Sequence, residues 1–190
     1  EKQGGVVYFP KGIYVISEII LISAANVTFS GAGAGKSILK RSDSYPGELI
    51  ASTADYFSCT DLTIDGNVSG NTSTAFSELA LTGNYALILN CSIVNSRAVG
   101  IAVTGKHIKI VNNLIVGSNS PSIPNMGLWF DDARIPEDLL IQGNTFLNHG
   151  INAILGKGKG IRLHGNYFKN NHLQTSPTGG GQIQCLQYTD

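Results

Sequence analysis

Ionisable side chains are scarce in this sequence. Asp, Glu, Lys and Arg make up 14% of its 190 residues, against roughly 25% in ordinary soluble domains. Thirteen basic and thirteen acidic residues cancel to a formal net charge of zero. No excess of one sign exists to condense on nucleic acid or on an anionic membrane, so neither is an expected partner. Cysteine is also sparse: Cys59, Cys91 and Cys185 are odd in number and far apart. That spacing argues against a disulfide framework and a CxxC zinc site, and it makes the thiols small apolar fillers. No apolar run reaches the roughly 18 residues that a membrane-spanning helix needs. Patterns of helical period are nearly missing, Pro136 to Leu140 being too short to count.

What is plentiful is glycine, with 23 residues, and asparagine is heavily used beside it. A chain poor in charge and rich in Gly and Asn has many tight turns and many polar groups that do not ionise. That composition suits a β-rich solenoid better than a helical bundle.

The repeat confirms the class. Leu87-Ile88-Leu89-Asn90-Cys91-Ser92-Ile93-Val94 returns as Ile108-Lys109-Ile110-Val111-Asn112-Asn113-Leu114-Ile115. It returns again as Leu139-Leu140-Ile141-Gln142-Gly143-Asn144-Thr145-Phe146 and as Ile161-Arg162-Leu163-His164-Gly165-Asn166-Tyr167-Phe168. Further copies start at Val27, Leu62 and Ile183, so successive starts differ by 35, 25, 21, 31, 22 and 22 residues. A base period of about 22 is one turn of a β-helix, and extra residues belong in loops on one face, often the binding face. Within each copy the period is two, which is a strand. Positions one and three of each copy are expected to point inward. Asn67, Asn113, Asn144 and Asn166 share the sixth position and read as a buried hydrogen-bonded ladder. A second strand follows in Gly100-Ile101-Ala102-Val103, Gly127-Leu128-Trp129-Phe130 and Gly150-Ile151-Asn152-Ala153, each opening on Gly where a sharp bend is needed. The expectation is one all-β domain over residues 1–190, a single-stranded right-handed parallel β-helix of about seven turns.

Gly4-Gly5-Val6-Val7-Tyr8-Phe9-Pro10-Lys11-Gly12-Ile13-Tyr14 resembles the Gly-Gly-x-Val-x-hydrophobic-Pro-x-Gly-x-Tyr segment of the pectate-lyase-like β-helix superfamily. Val27 to Lys40 and Leu62 to Asn67 resemble the segments that follow it. The resemblance covers the first third by motif and the rest by repeat pattern. Relatives include pectate lyases, polygalacturonases, alginate lyases, mannuronan epimerases and phage tailspikes. It implies an extracellular or cell-surface protein with a polysaccharide partner. The family opens on a Gly-Asp-Gly-x-x-Asp-Asp segment and a helix that plugs the coil. This chain starts after that point and reads as part of a longer one, with neighbouring domains or further copies as candidate partners.

The candidate site is Trp129-Phe130-Asp131-Asp132-Ala133-Arg134. If Leu128 and Phe130 face the core, alternation turns Trp129 and Asp131 outward. Trp129 is the only Trp, and an indole is a platform for a sugar ring. Asp131 and Asp132 could act on a glycosidic oxygen or bind Ca²⁺; Arg134 could pair with them or bind substrate. In mannuronan epimerases this strand resembles Tyr-Gly-Phe-Asp-Pro-His, of which only Phe130 and Asp131 fit, Leu128 and Ala133 standing for the Tyr and the His. Uronate chemistry needs a base at C5 and a group that neutralises the carboxylate. Lys106, His107 or His149 is the candidate base, with Asn152 as neutraliser and His107 also in substrate contact. Two readings stay open: an enzyme with lyase, hydrolase or epimerase chemistry on an acidic polysaccharide, and a non-catalytic module that binds glycan or spaces other domains.

Overall fold

The computed structural model describes residues 4–72, 76–130, 134–173 and 183–187, of residues 184–187 the backbone only. Its strands form three parallel sheets of seven. The first sheet holds Val6–Phe9, Thr28–Gly31, Ser58–Thr60, Leu87–Leu89, Lys109–Val111, Leu140–Gln142 and Arg162–His164. The second holds Gly12–Ile16, Ser37–Arg41, Thr63–Asp65, Ser92–Val94, Leu114–Val116, Thr145–Leu147 and Tyr167–Lys169. The third holds Ile20–Ile22, Ile50–Ser52, Ser77–Leu81, Val99–Val103, Met126–Phe130, Ile154–Gly158 and Ile183–Gln187. The chain visits the sheets in rotation, so it winds a parallel β-solenoid whose first-sheet strands are six circuits apart end to end. No described helix is long and apolar enough to cross a membrane.

Side chains one circuit apart lie in file. In the first sheet Phe29, Cys59, Ile88, Ile110, Ile141 and Leu163 are successive register partners. All but the terminal Leu163 are buried. The second sheet stacks Leu39, Ile64, Ile93, Ile115, Phe146 and Phe168, and the third Ile50, Leu79, Ile101, Leu128 and Ile154. Each fully buried Ile or Leu contributes about 1.5–3 kcal/mol, so the core is a column of repeated small gains.

The asparagine file exists, one residue shorter than expected and in a different frame at its start. Asn113, Asn144 and Asn166 sit at the corner between the first and second sheets. Each Nδ2 donates to a carbonyl of an earlier circuit, Ile88, Ile110 and Ile141 in turn, at 3.0, 2.8 and 2.7 Å. Each Oδ1 accepts a backbone N–H from the circuit before it: Cys91, Asn113 and Asn144. Asn67 is not among them. Thr63 pairs with Ser92 in the second sheet, so Leu62 fills the slot of Cys91 and Asn113, and Asn67 lies one corner further on. There it binds the Arg41 carbonyl and Asp43 Oδ1. Two other copies shift for the same reason. Leu87 pairs with Lys109 on the outer face, leaving Ala86 and Ile88 inside. Ile183 pairs with Ile154 and extends the third sheet. The third-sheet strand expected at Gly150 starts instead at Ile154.

Loop lengths distribute unevenly around the coil. Five residues separate the first-sheet and second-sheet partners Ser58 and Thr63, Leu87 and Ser92, Lys109 and Leu114, Leu140 and Thr145, and Arg162 and Tyr167. Between the second and third sheets the interval is nine from Ser92 to Ile101 and from Thr145 to Ile154, but sixteen from Thr63 to Leu79 and fourteen from Leu114 to Leu128. From the third sheet back to the first it is eight from Leu79 to Leu87 and from Ile101 to Lys109, but twelve from Leu128 to Leu140. Every long loop among these therefore borders the third sheet.

One charged pair lies inside this apolar coil. Arg41 and Glu78 are each 2% exposed and 2.6 Å apart. Arg41 also donates to the carbonyls of Gly47, Tyr45 and Ser77, which ties the 42–49 segment to the coil. Burial pushes Glu78 up to about 7, with Arg41 pulling against it.

Candidate functional site

The outer face of the third sheet lies between these loops. Its outward file runs Leu21, Ala51, Ala80, Ala102, Trp129 and Leu155. Alternation puts Leu128 and Phe130 in the core, fully buried, and leaves Trp129 half-buried on the outside. The file is small or aliphatic everywhere else, so the indole is its one aromatic feature. Lys157 follows Leu155 on the same face, and Arg134 is exposed in the loop beyond Phe130. Asp131 and Asp132 lie outside the described residues. No group of three His, Cys, Asp or Glu able to hold a metal ion occurs among the described ones.

The loop that precedes Trp129 is braced from below. Asn125 is fully buried. Its Nδ2 donates to Ser118 Oγ and its Oδ1 accepts from Gly150 N–H at 3.1 Å. Under the same strand lies His149, also fully buried rather than on the solvated flank. Its Nδ1 is 2.7 Å from Asn171 Oδ1. An amide oxygen only accepts, so Nδ1 carries the proton, and the buried Nε2 has no hydrogen-bond partner among the described residues. Gly127 is obligatory here, since a Cβ would come within 2.9 Å of that Nε2 and 2.6 Å of the Ala153 carbonyl. Asn152 is buried beside it and its carbonyl accepts the Gly127 N–H. His149 and Asn152 thus support the strand from within.

Burial holds His149 down at about 4, with the Asn171 bond opposing the shift. A histidine lowered in the fold keeps its stabilising effect above its ordinary value of 6.5 and loses it as pH falls through 4. Acid should therefore cost the protein about 3 kcal/mol through this one side chain. Urea unfolding midpoints at pH 7 and pH 4 test this: His149→Gln should flatten the drop, and an unchanged pH slope would contradict it.

Lys106 and His107 sit in the turn from the third sheet to the first. Two files run along this turn. In one, Asp55 Oδ1 accepts from Asn84 at 2.8 Å, Asn84 Oδ1 accepts from Lys106 N–H, and Lys106 Nζ reaches Glu137 at 3.1 Å. In the other, Tyr56, Tyr85 and His107 stack nearly parallel, with centroids 4.8 and 4.7 Å apart. His107 Nδ1 meets Asp138 Oδ2 at 2.9 Å, and Asp138 Oδ1 meets Arg162 at 2.7 Å. The exposed Asp138 carboxyl is lowered by His107 first and Arg162 second. Asn26, Tyr56, Tyr85, His107, Asp138 and Gly160 all have φ between 54° and 61°. A left-handed conformation costs a side chain such as Tyr about 1–2 kcal/mol, which each ring contact offsets by about 0.5–1.5 kcal/mol.

The sites expected from sequence therefore divide. Trp129 and Arg134 belong to the outer side, Lys106 and His107 to the neighbouring turn, and His149 and Asn152 to the interior. The aromatic file was missed because its members share a backbone angle and not a residue type. Likewise, nothing in the local pattern around Arg41 or Glu78 marks them as partners.

Three parallel sheets wound in rotation, a corner held by stacked asparagines and a third sheet bordered by the longest loops define a parallel β-helix of the pectate-lyase type. The chain belongs to the rhamnogalacturonase A/epimerase, pectate lyase-like family, whose model matches residues 1–178. No curated protein matches it. Among solved structures, the A-module of the Azotobacter vinelandii mannuronan C-5 epimerase AlgE6 is similar at 14% identity and a TM-score of 0.62, over 88% of this chain and 48% of that one. ORF18 of Geobacillus virus E2 gives 16% identity and 0.56 over 86% of this chain and 35% of that one. The catalytic domain of a GH87 α-1,3-glucanase, solved with tetrasaccharides, gives 14% and 0.53 over 87% and 34%. These likenesses show the fold, and the chain spans between a third and a half of those proteins.

Proposed function

We propose that this chain binds an acidic polysaccharide along the outer face of its third sheet. The observation that carries the reading is the file Ala51, Ala80, Ala102, Trp129, Leu155. It is a row of small or aliphatic side chains with one half-buried indole, partly exposed from Ala102 to Leu155 and bordered by the extended loops. An indole takes the apolar face of a sugar ring, and its N–H can meet a hydroxyl. Arg134 and Lys157 supply positive charge on this side, which suits a uronate. The family and the mannuronan-directed and glucan-directed neighbours support a polysaccharide ligand and, with it, a place outside the cell or on its surface.

Catalysis on that ligand, whether lyase, hydrolase or epimerase, rests on Asp131 and Asp132. Of the other candidates, Lys106 is tied to Glu137 and His149 is sealed in the core. Trp129→Ala should weaken binding of a galacturonate or mannuronate oligomer about tenfold, the equivalent of about 1.4 kcal/mol; unchanged affinity would remove the reading. Loss of product in Asp131→Ala or Asp132→Ala would add catalysis to binding. No product from pectate, polygalacturonate or alginate, with or without Ca²⁺, would leave a glycan-binding module.

A further inference from the structure

A second groove lies on the first sheet, on the far side of the turn from Trp129. It is a cavity of about 340 Å³ lined by Tyr56, Ser58, Tyr85, Leu87, His107 and Lys109, with Ala86 at its base. Ser58, Leu87 and Lys109 are register partners on three successive circuits. Tyr56, Tyr85 and His107 are the matching three members of the stacked file. The groove therefore runs parallel to the coil axis for two strand spacings, about 10 Å. Its volume falls within the range of small-ligand sites, roughly 300–1,000 Å³.

The lining holds one lysine, one histidine and no carboxylate. Asp138, which is not part of the lining, pairs with both His107 and Arg162, so its charge is shared between two cationic partners. Stacking has a further consequence. Rings whose faces cover one another turn their edges sideways, and the edge is the electropositive part of an aromatic ring. Tyr56 and Tyr85 are 50% and 45% exposed, so what they offer the groove is edges and hydroxyls. Such a wall suits an anion and hydroxyl groups better than the apolar face of a neutral sugar.

We infer that this groove is a second glycan subsite, which takes the carboxylate of a uronate unit against Lys109 and the ring edges of Tyr85 and His107. It deepens the reading of the protein as a binder of acidic polysaccharide and occupies a different face of the coil.

The test is an NMR titration of the full chain with digalacturonate, followed separately at the Trp129 indole and at the His107 and Lys109 resonances. The expected result is a shift at His107 and Lys109 that persists in Trp129→Ala and weakens about tenfold in Lys109→Gln. A spectrum unchanged elsewhere shows that each variant is folded. A response at Trp129 alone would overturn the second subsite and leave the first reading standing. A response at His107 and Lys109 alone would uphold the subsite and overturn the first. Inorganic phosphate that displaces digalacturonate at equal concentration would show a general oxyanion site and overturn the assignment to a sugar. Galactobiose binding as tightly as digalacturonate would overturn the role of the carboxylate.

Discussion

Glu78→Ala should destabilise the protein by about 3–5 kcal/mol, the usual cost of removing one partner from a buried ion pair. The size follows from what is left behind. Arg41 cannot lose its proton, and at 2% exposure it has no water to replace the carboxylate. Its remaining acceptors are the carbonyls of Gly47, Tyr45 and Ser77, which carry no full charge. The two ions held apart from solvent are not themselves a large net gain, because desolvation cancels most of their attraction. Arg41→Met combined with Glu78→Leu should therefore be far milder than either half, a coupling that a double-mutant cycle in urea reads directly. Glu78→Gln tests the sign of the titration. Burial raises Glu78 in the folded state to about 7, so its contribution is full below 4.5 and fades as pH rises through 7. The glutamine variant should lose that alkaline slope. A double variant destabilised by the sum of the two single variants would show that Arg41 and Glu78 act independently.

Asn144→Ala should cost about 3 kcal/mol, most of it from groups that remain. The Asn144 amide serves the Asn113 N–H, the Asn113 Nδ2 and the Ile110 carbonyl at 2.9, 3.0 and 2.8 Å. Each buried group stranded without a partner costs about 1–3 kcal/mol, and partial relaxation keeps the total below the sum. Asn113→Ala should come close to it, because it strands Cys91 N–H and the Ile88 carbonyl. Asn166→Ala should be the mildest, since that residue is partly exposed and water can stand in. Ranked unfolding midpoints that do not follow this order would show that the file is not held by its internal hydrogen bonds.

That file was readable in the sequence because one residue type recurs at a fixed place in a repeat. Asn113, Asn144 and Asn166 each stand two residues before an apolar side chain of one file, Ile115, Phe146 and Phe168, and a buried amide that serves its neighbours above and below has few substitutes. Asn67 looked like a member because apolar-x-apolar occurs in two sheets per circuit, five residues apart. Periodicity alone cannot say which of the two a given copy belongs to. Leu62 settles it by filling the Asn slot with an apolar side chain that needs no hydrogen bonds. Trp129 was legible because alternation around Leu128 and Phe130 leaves it one direction. His149 was not: its neighbours Asn148 and Gly150 look like a surface turn. What buries the ring is the combination of Gly127, which leaves room, and Asn171, which supplies an acceptor 22 residues away.

The five-residue corner between the first and second sheets works as the spine of a bound book. It fixes the pitch of each leaf, and no circuit from Ser58 onward alters its length. The segments between Asp65 and Ser77 and between Val116 and Met126 open on the opposite side. They make intervals of sixteen and fourteen residues where neighbouring circuits have nine, with the register of the rungs unchanged. Recognition in such a molecule can diversify at its margins while the binding that holds the pages together stays the same.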